Sequence, residues 1–382
     1  MSGEKPNAVA VSTPTQLYLS FELGEQEWTL GFTTGLGQEP RKRQIAARDL
    51  EALEHEIAQA QQRFELPETA PVQSCYEAGR DGFWLHRYLL AHHIENVVVD
   101  SSSIEVNRRA KHAKTDRIDA RKLVLMLVRY YLGEHTLWSV VHVPSVEAED
   151  ARHLHRELRS LKSDQTRHIN RLKGLLAGHG VQLGVGAHFL EQLDQVRQWD
   201  GTPLPPGVRA RLTREYTCGQ FIHEQILALE GERAELLRTS TDPSVDKVRR
   251  LMRLCGIGEN SAWLFVMEFF AWRQFHNRRE VGGLAGLTAT PFASGDQVRD
   301  QGISHAGNTP VRGMSIEIAW CWLRYQPDSE LSRWYQERFA HGGRRLRKIG
   351  IVALARKLLI ALWRYLEDGV VPAGAQLKPI PA

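Results

Sequence analysis

Cysteine is scarce. Four residues, Cys75, Cys218, Cys255 and Cys321, are scattered over 382 positions, and none belongs to a CxxC pair. That spacing excludes a cysteine zinc site and a disulfide framework, and it fits a reducing cytosol, so a cytoplasmic protein is expected. Long apolar runs are missing too. No uncharged stretch approaches the ~18 residues that a transmembrane helix needs. Met1 to Gln16 has no apolar core, so neither a membrane span nor a secretory signal is expected. There is no GxSxG elbow, no P-loop, no internal repeat and no low-complexity segment. A strong excess of one charge is absent as well, since 49 Lys and Arg against 45 Asp and Glu leave a formal +4. What is present is an ordinary globular composition, 42% hydrophobic and 25% charged, and a length that predicts two to three domains.

Residues 1–16 read as a disordered polar lead. Leu17 to Leu23 is a strand pattern, Trp28 to Thr33 a second, and Arg41 to Ile45 a third, with short polar connections that favour an antiparallel meander. Leu50, Leu53, Ile57, Ala60 and Phe64 recur every three or four residues, which makes Asp49 to Phe64 an amphipathic helix. Pro67 and Pro71 break it. Val72 to Glu77 is a fourth strand and Gly82 to His93 a helix. Val97 to Asp100 is a short apolar strand suited to a parallel sheet, and Ile118 to Leu132 is again helical. The order β-β-β-α-β-α-β-α over residues 17–145 is that of the ribonuclease H fold.

Residues 146–245 have a different pattern. Leu154, Leu158, Leu161, Ile169, Leu172 and Leu176 follow heptad-like spacing, Val181 to Gly207 is a Gly- and Pro-rich connection, and Ile222, Ile226, Leu229 and Leu236 form a second stripe. Two long helices around a loop predict an antiparallel hairpin or coiled-coil insert, either a spacer or an oligomerisation arm. A helical unit follows over 246–368, and 369–382 reads as a loose Pro-rich tail. The fold class is therefore α/β plus α.

Four carboxylates stand out. Glu22 ends the first strand, Glu77 ends the fourth, and Asp116 and Asp119 sit three apart at a helix start, on one face. Singly, such acids are ordinary caps and solvated turn residues. Together, at adjacent strand ends, they would repel one another unless cations neutralised them, and hard oxygen ligands in that arrangement suit Mg²⁺. Two such ions ~3.5–4 Å apart can support phosphodiester transfer. Around the two aspartates lie seven cations: Arg108, Arg109, Lys111, Lys114, Arg117, Arg121 and Lys122. Arg152 to Lys173 holds seven more, and His341 to Lys357 six, among them Arg344, Arg345, Arg347 and Lys348, with no acid. Charge runs are usually solvated faces, yet three of them in a chain of net +4 imply cationic patches suited to a phosphate backbone. Gly256-Ile257-Gly258 resembles the turn of a helix-hairpin-helix, whose glycines let backbone N–H groups approach phosphates, and a plain interhelix turn is the equal alternative. Ser294, before Gly295 in a loop, and Ser304 are both free hydroxyls that need a base or metal to become nucleophiles, and Arg312 follows them. The residues alone do not choose between the two serines.

Tyr76-Glu77-Ala78-Gly79, Lys114-Thr115-Asp116-Arg117-Ile118-Asp119-Ala120 and the block Thr290-Pro291, Ser294-Gly295, Gly302-Ile303-Ser304, Ala306-Gly307-Asn308 resemble the DEDD transposases of insertion-sequence family 110, most of all its subgroup 1111. The resemblance runs from about Leu17 to Leu366. It implies a RuvC-like ribonuclease H domain, a coiled-coil linker and a C-terminal transposase domain. Its acidic tetrad maps to Glu22, Glu77, Asp116 and Asp119, and its nucleophilic serine to Ser294. It implies Mg²⁺ as cofactor, donor and target DNA as substrates, and a structured noncoding RNA, the bridge RNA, as guide. It also implies an assembly of dimer to tetramer in which metal site and serine come from different subunits. One departure is Glu22, where the family usually carries Asp; Glu puts the carboxylate one methylene further out. Two other functions share these residues: a Holliday-junction-type nuclease using water, for which Ser294 is dispensable, and a non-enzymatic helix-hairpin-helix DNA-binding protein.

Overall fold

The computed structural model describes residues 16–104, 120–294, 297–304 and 307–379, with the backbone alone for 102, 290–294 and 297–301. The chain divides into two compact units, residues 1–143 and 144–382.

The first unit holds β1 (Leu17–Leu23), β2 (Glu27–Thr33), β3 (Arg41–Ala46), α1 (Leu50–Arg63), β4 (Val72–Glu77), α2 (Trp84–Ala91), β5 (Glu95–Val99) and α3 (Ala120–Tyr131). This is the order expected from the hydrophobic pattern. The five strands form one mixed sheet in the order β3-β2-β1-β4-β5. β1, β2 and β3 pair antiparallel, and β4 and β5 add in parallel on the other side of β1. Both faces of the sheet are covered. Leu17, Leu19 and Phe21 of β1 join Leu53, Ile57 and Ala60 of α1 and Leu85 and Leu89 of α2 in one core. The alternate residue Tyr18 joins Cys75, Val99 and Leu123, Val124 and Leu127 of α3 in another. Strand alternation thus sorts β1 between two helical layers. α1 starts where its periodicity starts, because the Asp49 carboxylate accepts the Ala52 N–H at 2.9 Å.

The second unit begins with α4 (Val146–Asp150), α5 (His153–Ala177), α6 (Phe189–Gln195) and α7 (Pro206–Thr239). At 1.5 Å per residue, α5 and α7 are about 38 and about 51 Å long. They run antiparallel, as the ladder of pairs His168–Glu215 (2.7 Å), Gln165–His223 (3.2 Å) and Lys162–Glu230 (2.6 Å) shows. The far end has its own small core, where Leu172 and Leu176 meet Phe189 and Leu193 of α6 and Leu212 and Tyr216 of α7. The Gly- and Pro-rich connection therefore contains a helix that the composition hid.

The remainder comprises α8 (Pro243–Met252), α9 (Glu259–Phe265) continued by a π-turn Val266–Phe270, α10 (Arg278–Leu284), the hairpin β6 (Ala289–Ser294) and β7 (Gln297–Ile303), α11 (Thr309–Tyr325), α12 (Glu330–Tyr335) and α13 (Arg344–Glu367). Trp263, Phe265, Phe269, Trp322, Leu354, Leu358 and Leu362 are part of its core. The π-turn carries Glu268, 3% exposed, which accepts two hydrogen bonds from the Arg156 guanidinium of α5 at 2.7 and 2.8 Å. Burial pushes the Glu268 carboxyl up, but the Arg156 hydrogen bond and charge, with Arg152 and His155, bring it below its ordinary value. The tail is tied down, against its loose reading: the Glu330 backbone N–H donates to the Ala373 carbonyl at 3.0 Å, and the Cys255 backbone N–H to that of Gln376 at 3.1 Å. No helix among the described residues is long and apolar enough to cross a membrane.

Candidate active site and nucleic-acid interface

Phe21 of β1 lies opposite Tyr76 of β4 in the parallel register, and both rings enter the core under α1 and α2. The next residues, Glu22 and Glu77, therefore project side by side from the opposite face, the one covered by α3. Adjacent strands are ~4.8 Å apart, so two carboxylates leave the sheet within reach of one ion. They line a cleft of about 390 Å³ with Ser101 and Leu123. Burial pushes the thiol of Cys75, two residues before Glu77 on the same face, well above its ordinary value, and the Glu77 charge adds to that. The Tyr76 hydroxyl donates to the Gly82 carbonyl at 3.1 Å and holds the loop after β4 over the cleft. Arg80 and Glu25, both lining the cleft, pair at 3.2 Å, and the lining residue Asp81 pairs with Arg48 at 3.1 Å. Sequence reading did not single out Glu25, Arg80, Asp81 or Ser101. Their signal was only adjacency to strand ends.

Asp116 and Asp119 lie outside the described residues, as do Arg108, Arg109, Lys111, Lys114 and Arg117. The point where the chain returns is defined. The Ala120 carbonyl, one residue after Asp119, accepts the Ser20 hydroxyl at 2.6 Å. A Cβ on Gly31 would stand 2.7 Å from the same oxygen, so only glycine lets α3 seat there. Ser20 precedes Glu22 by two residues and shares its face. Arg121 pairs with Glu39 at 2.7 Å, and Lys122 is exposed. Among the described residues, no group of three or more His, Cys, Asp or Glu side chains is arranged to hold a metal.

Ser294 is the last residue of β6, paired with Gln297 across a two-residue connection. The sequence read this position as loop within a helical unit; a β-hairpin stands there instead. Ser304 is at the hairpin's other end, just past β7, its N–H donating to the Thr288 carbonyl at 2.9 Å. Gly307 and Asn308 fix the exit. Gly307 has φ +83°, and a Cβ there would meet the Leu284 carbonyl at 2.2 Å. Asn308 caps α11 by accepting the Val311 N–H at 3.0 Å. Arg312 donates to the Thr309 hydroxyl at 3.0 Å.

The Gly256–Gly258 turn joins α8 to α9. Gly256 has φ +89° and lies against Tyr325 and Cys321 of α11. The Gly258 N–H donates to the Ser261 hydroxyl at 3.1 Å, and Lys378 and Gln326 occupy the Ile257 and Cys255 carbonyls at 2.8 and 2.9 Å. Much of the turn's hydrogen-bonding capacity is thus used internally. Arg344, Arg345, Arg347 and Lys348 occupy the first two turns of α13, all exposed.

Residues 248–336 match the family described as Transposase IS116/IS110/IS902. The chain is 38% identical over 391 positions to “Putative transposase y4rJ” of Sinorhizobium fredii, covering 98% of each sequence. It is 26% identical over 259 residues, 67% of each sequence, to the transposase for insertion sequence element IS1111A of Coxiella burnetii. It is 24% identical over 267 residues, 68% of this chain and 74% of the relative, to the transposase for insertion sequence element IS1328 of Yersinia enterocolitica.

Proposed function

The chain belongs to the IS116/IS110/IS902 family of transposases, and on that premise we propose that it recombines DNA by strand cleavage and rejoining, with carboxylates of a RuvC-like ribonuclease H core and Ser294 as the reacting groups. The observation that carries this reading is the placement of Glu22 and Glu77 side by side on the sheet face that also anchors Ala120. The sheet order β3-β2-β1-β4-β5, with α3 over the carboxylate face, supports the RuvC-like core. Paired hard oxygen donors fit Mg²⁺, and Glu22, Glu77, Asp116 and Asp119 would hold it. When bound, such a cation supplies electrostatic stabilisation to the phosphoryl oxygens.

In this reading Ser294 Oγ attacks the phosphorus of a DNA phosphodiester. The Oγ–P bond forms as the P–O bond to the leaving strand breaks. The hydroxyl proton is lost and the leaving sugar oxygen gains one, so the step is balanced and reversible. Strand rejoining is its reverse on a different strand. The carboxylates belong to the first compact unit and Ser294 to the second, so a second copy can supply either group in a dimer or tetramer. Recognition of donor and target DNA through a bridge RNA belongs to the same proposal, because guided systems leave sequence reading to base pairing.

The test is Mg²⁺-dependent cleavage of DNA carrying the element's ends. Glu77→Gln and Asp119→Asn keep side-chain shape and remove charge. Both are expected to reduce cleavage to background with melting temperature and DNA binding unchanged. Full activity in Asp119→Asn overturns the carboxylate assignment.

A further inference from the structure

Trp320 of α11 is 50% exposed, although the core of this unit buries Trp322 two residues later. Its ring opens onto a groove of about 560 Å³ that Leu323 and Tyr335 line as well. The remaining lining includes Arg324 of α11 and Arg344, Arg347 and Lys348 of α13, and no carboxylate among the described residues. Around the N-terminal end of α13 lies a second groove of about 1190 Å³. It shares Arg344 and Lys348 and is floored by Leu287, Ile303, Ile316 and Val352. Ile303 ends the hairpin whose other end is Ser294. None of Arg324, Arg344, Arg345, Arg347 and Lys348 forms an ion pair among the described residues, whereas Lys247 pairs with Glu367 near the other end of α13.

We propose that these adjoining grooves form a binding site for an unpaired nucleic-acid strand, with Trp320 stacking on a base and the α13 cations on the flanking phosphates. The proposal rests on the transposase reading for its substrate class and adds the strand state that the site takes. Charge complementarity selects the occupant: cations without counterions call for a polyanion. The exposed indole selects the form. Bases inside a duplex keep their faces stacked on one another, while an unpaired strand offers a free π-face to each aromatic ring. A groove of about 560 Å³ has room for a nucleotide.

Fluorescence anisotropy of the full-length protein with a labelled oligo-dT single strand and a mixed-sequence duplex of equal length tests this. Trp320→Ala is expected to weaken single-strand binding ~10-fold, within the range of one base–aromatic stack, and to leave duplex binding unchanged. Trp320→Phe is expected to retain most of the affinity. Replacing Arg344 and Lys348 together by alanine should lower the salt slope of single-strand binding, by ~0.7 for each phosphate no longer neutralised. Single-strand affinity unchanged in Trp320→Ala overturns the proposal, as does an equal loss on single strand and duplex. Loss of affinity on adding an acidic peptide in excess, with no effect of Trp320→Ala, points instead to a protein occupant and overturns it too. The readout is binding rather than cleavage. Failure here with cleavage still abolished by Asp119→Asn removes the site and leaves the transposase mechanism standing.

Discussion

Helix α5 carries six Lys and Arg in 25 residues and the first two turns of α13 carry four, and their counterions differ. On α5, Arg156 is held by Glu268, Lys162 by Glu230, Arg171 by Glu215 and Arg167 by Asp164. On α13, Arg344, Arg345, Arg347 and Lys348 occupy an exposed surface, and no carboxylate among the described residues is in ion-pair range of them. The two runs look alike in sequence because the α5 counterions include residues 44 and 112 positions downstream. The α5 charges therefore belong chiefly to the architecture of the hairpin, and the α13 charges have no such partner among the described residues. A basic run reports a polyanion partner only when its counterions are missing from the fold.

The largest effect that would sharpen this contrast is on nucleic-acid affinity. Replacing Arg344, Arg347 and Lys348 by alanine should weaken single-strand binding on the order of 10²-fold at moderate salt and lower the log–log salt slope by ~0.7 for each phosphate no longer neutralised. Melting temperature should stay level or rise, since these cations crowd the positive end of a helix dipole. The matched α5 variant, Lys162→Ala with Arg171→Ala, should leave affinity within about twofold and cost stability of ~0.2–1 kcal/mol per exposed pair. Equal losses of affinity in both sets would break the comparison.

Next in size is the base of the hairpin. Arg156→Ala leaves the Glu268 carboxylate buried without its main partner. The expected destabilisation is about 3 kcal/mol, the low end for breaking a buried pair because Arg156 itself is half exposed. Chemical denaturation read by circular dichroism measures it.

A smaller effect is one of pH. Burial lowers the His155 imidazole from its ordinary 6.5 to about 4, the Glu268 charge opposing and Arg233, Arg159 and Arg156 reinforcing the shift. Both ring nitrogens lack a hydrogen-bond partner among the described residues. Between pH 4 and 6.5 the unfolded chain binds a proton that the folded chain refuses, so stability is full above 6.5 and falls with pH toward 4. The contribution is at most about 3 kcal/mol. His155→Leu should flatten that part of a stability–pH curve, while variants of the α13 cations should not alter it.

Where periodicity decides structure, the sequence was legible. The strand and helix order of the first unit follows from alternation and from i, i+3, i+4 spacing. The position of Glu22 and Glu77 follows from both ending strands that the topology brings together. The β6–β7 hairpin was hidden for physical reasons. Pro291 sits inside β6, and proline is disfavoured in strands away from edges, so the segment reads as loop. Buried Arg233, 1% exposed and stacked 5.4 Å over the Trp263 ring, was equally hidden, because charge alone predicts a solvated face. Gly307 and Asn308 carried a motif signal whose cause is structural: one fits against the end of α10 and the other caps α11. Trp320 gave no local sign at all. Nothing in the helical spacing of α11 separates it from core Trp322.

The most direct test of the account is the covalent intermediate. Protein and end-labelled DNA carrying the element's ends, with Mg²⁺ and RNA synthesised from the DNA flanking the reading frame, are quenched in denaturant and resolved by gel. Wild type is expected to give a denaturant-stable protein–DNA adduct, and so is Ser304→Ala. Ser294→Ala should bind DNA normally and give none, and mixing it with Asp119→Asn should restore part of the signal if separate copies supply serine and carboxylates. An adduct that persists in Ser294→Ala and vanishes in Ser304→Ala would contradict the assignment, and cleavage by wild type without any adduct would replace the serine with water.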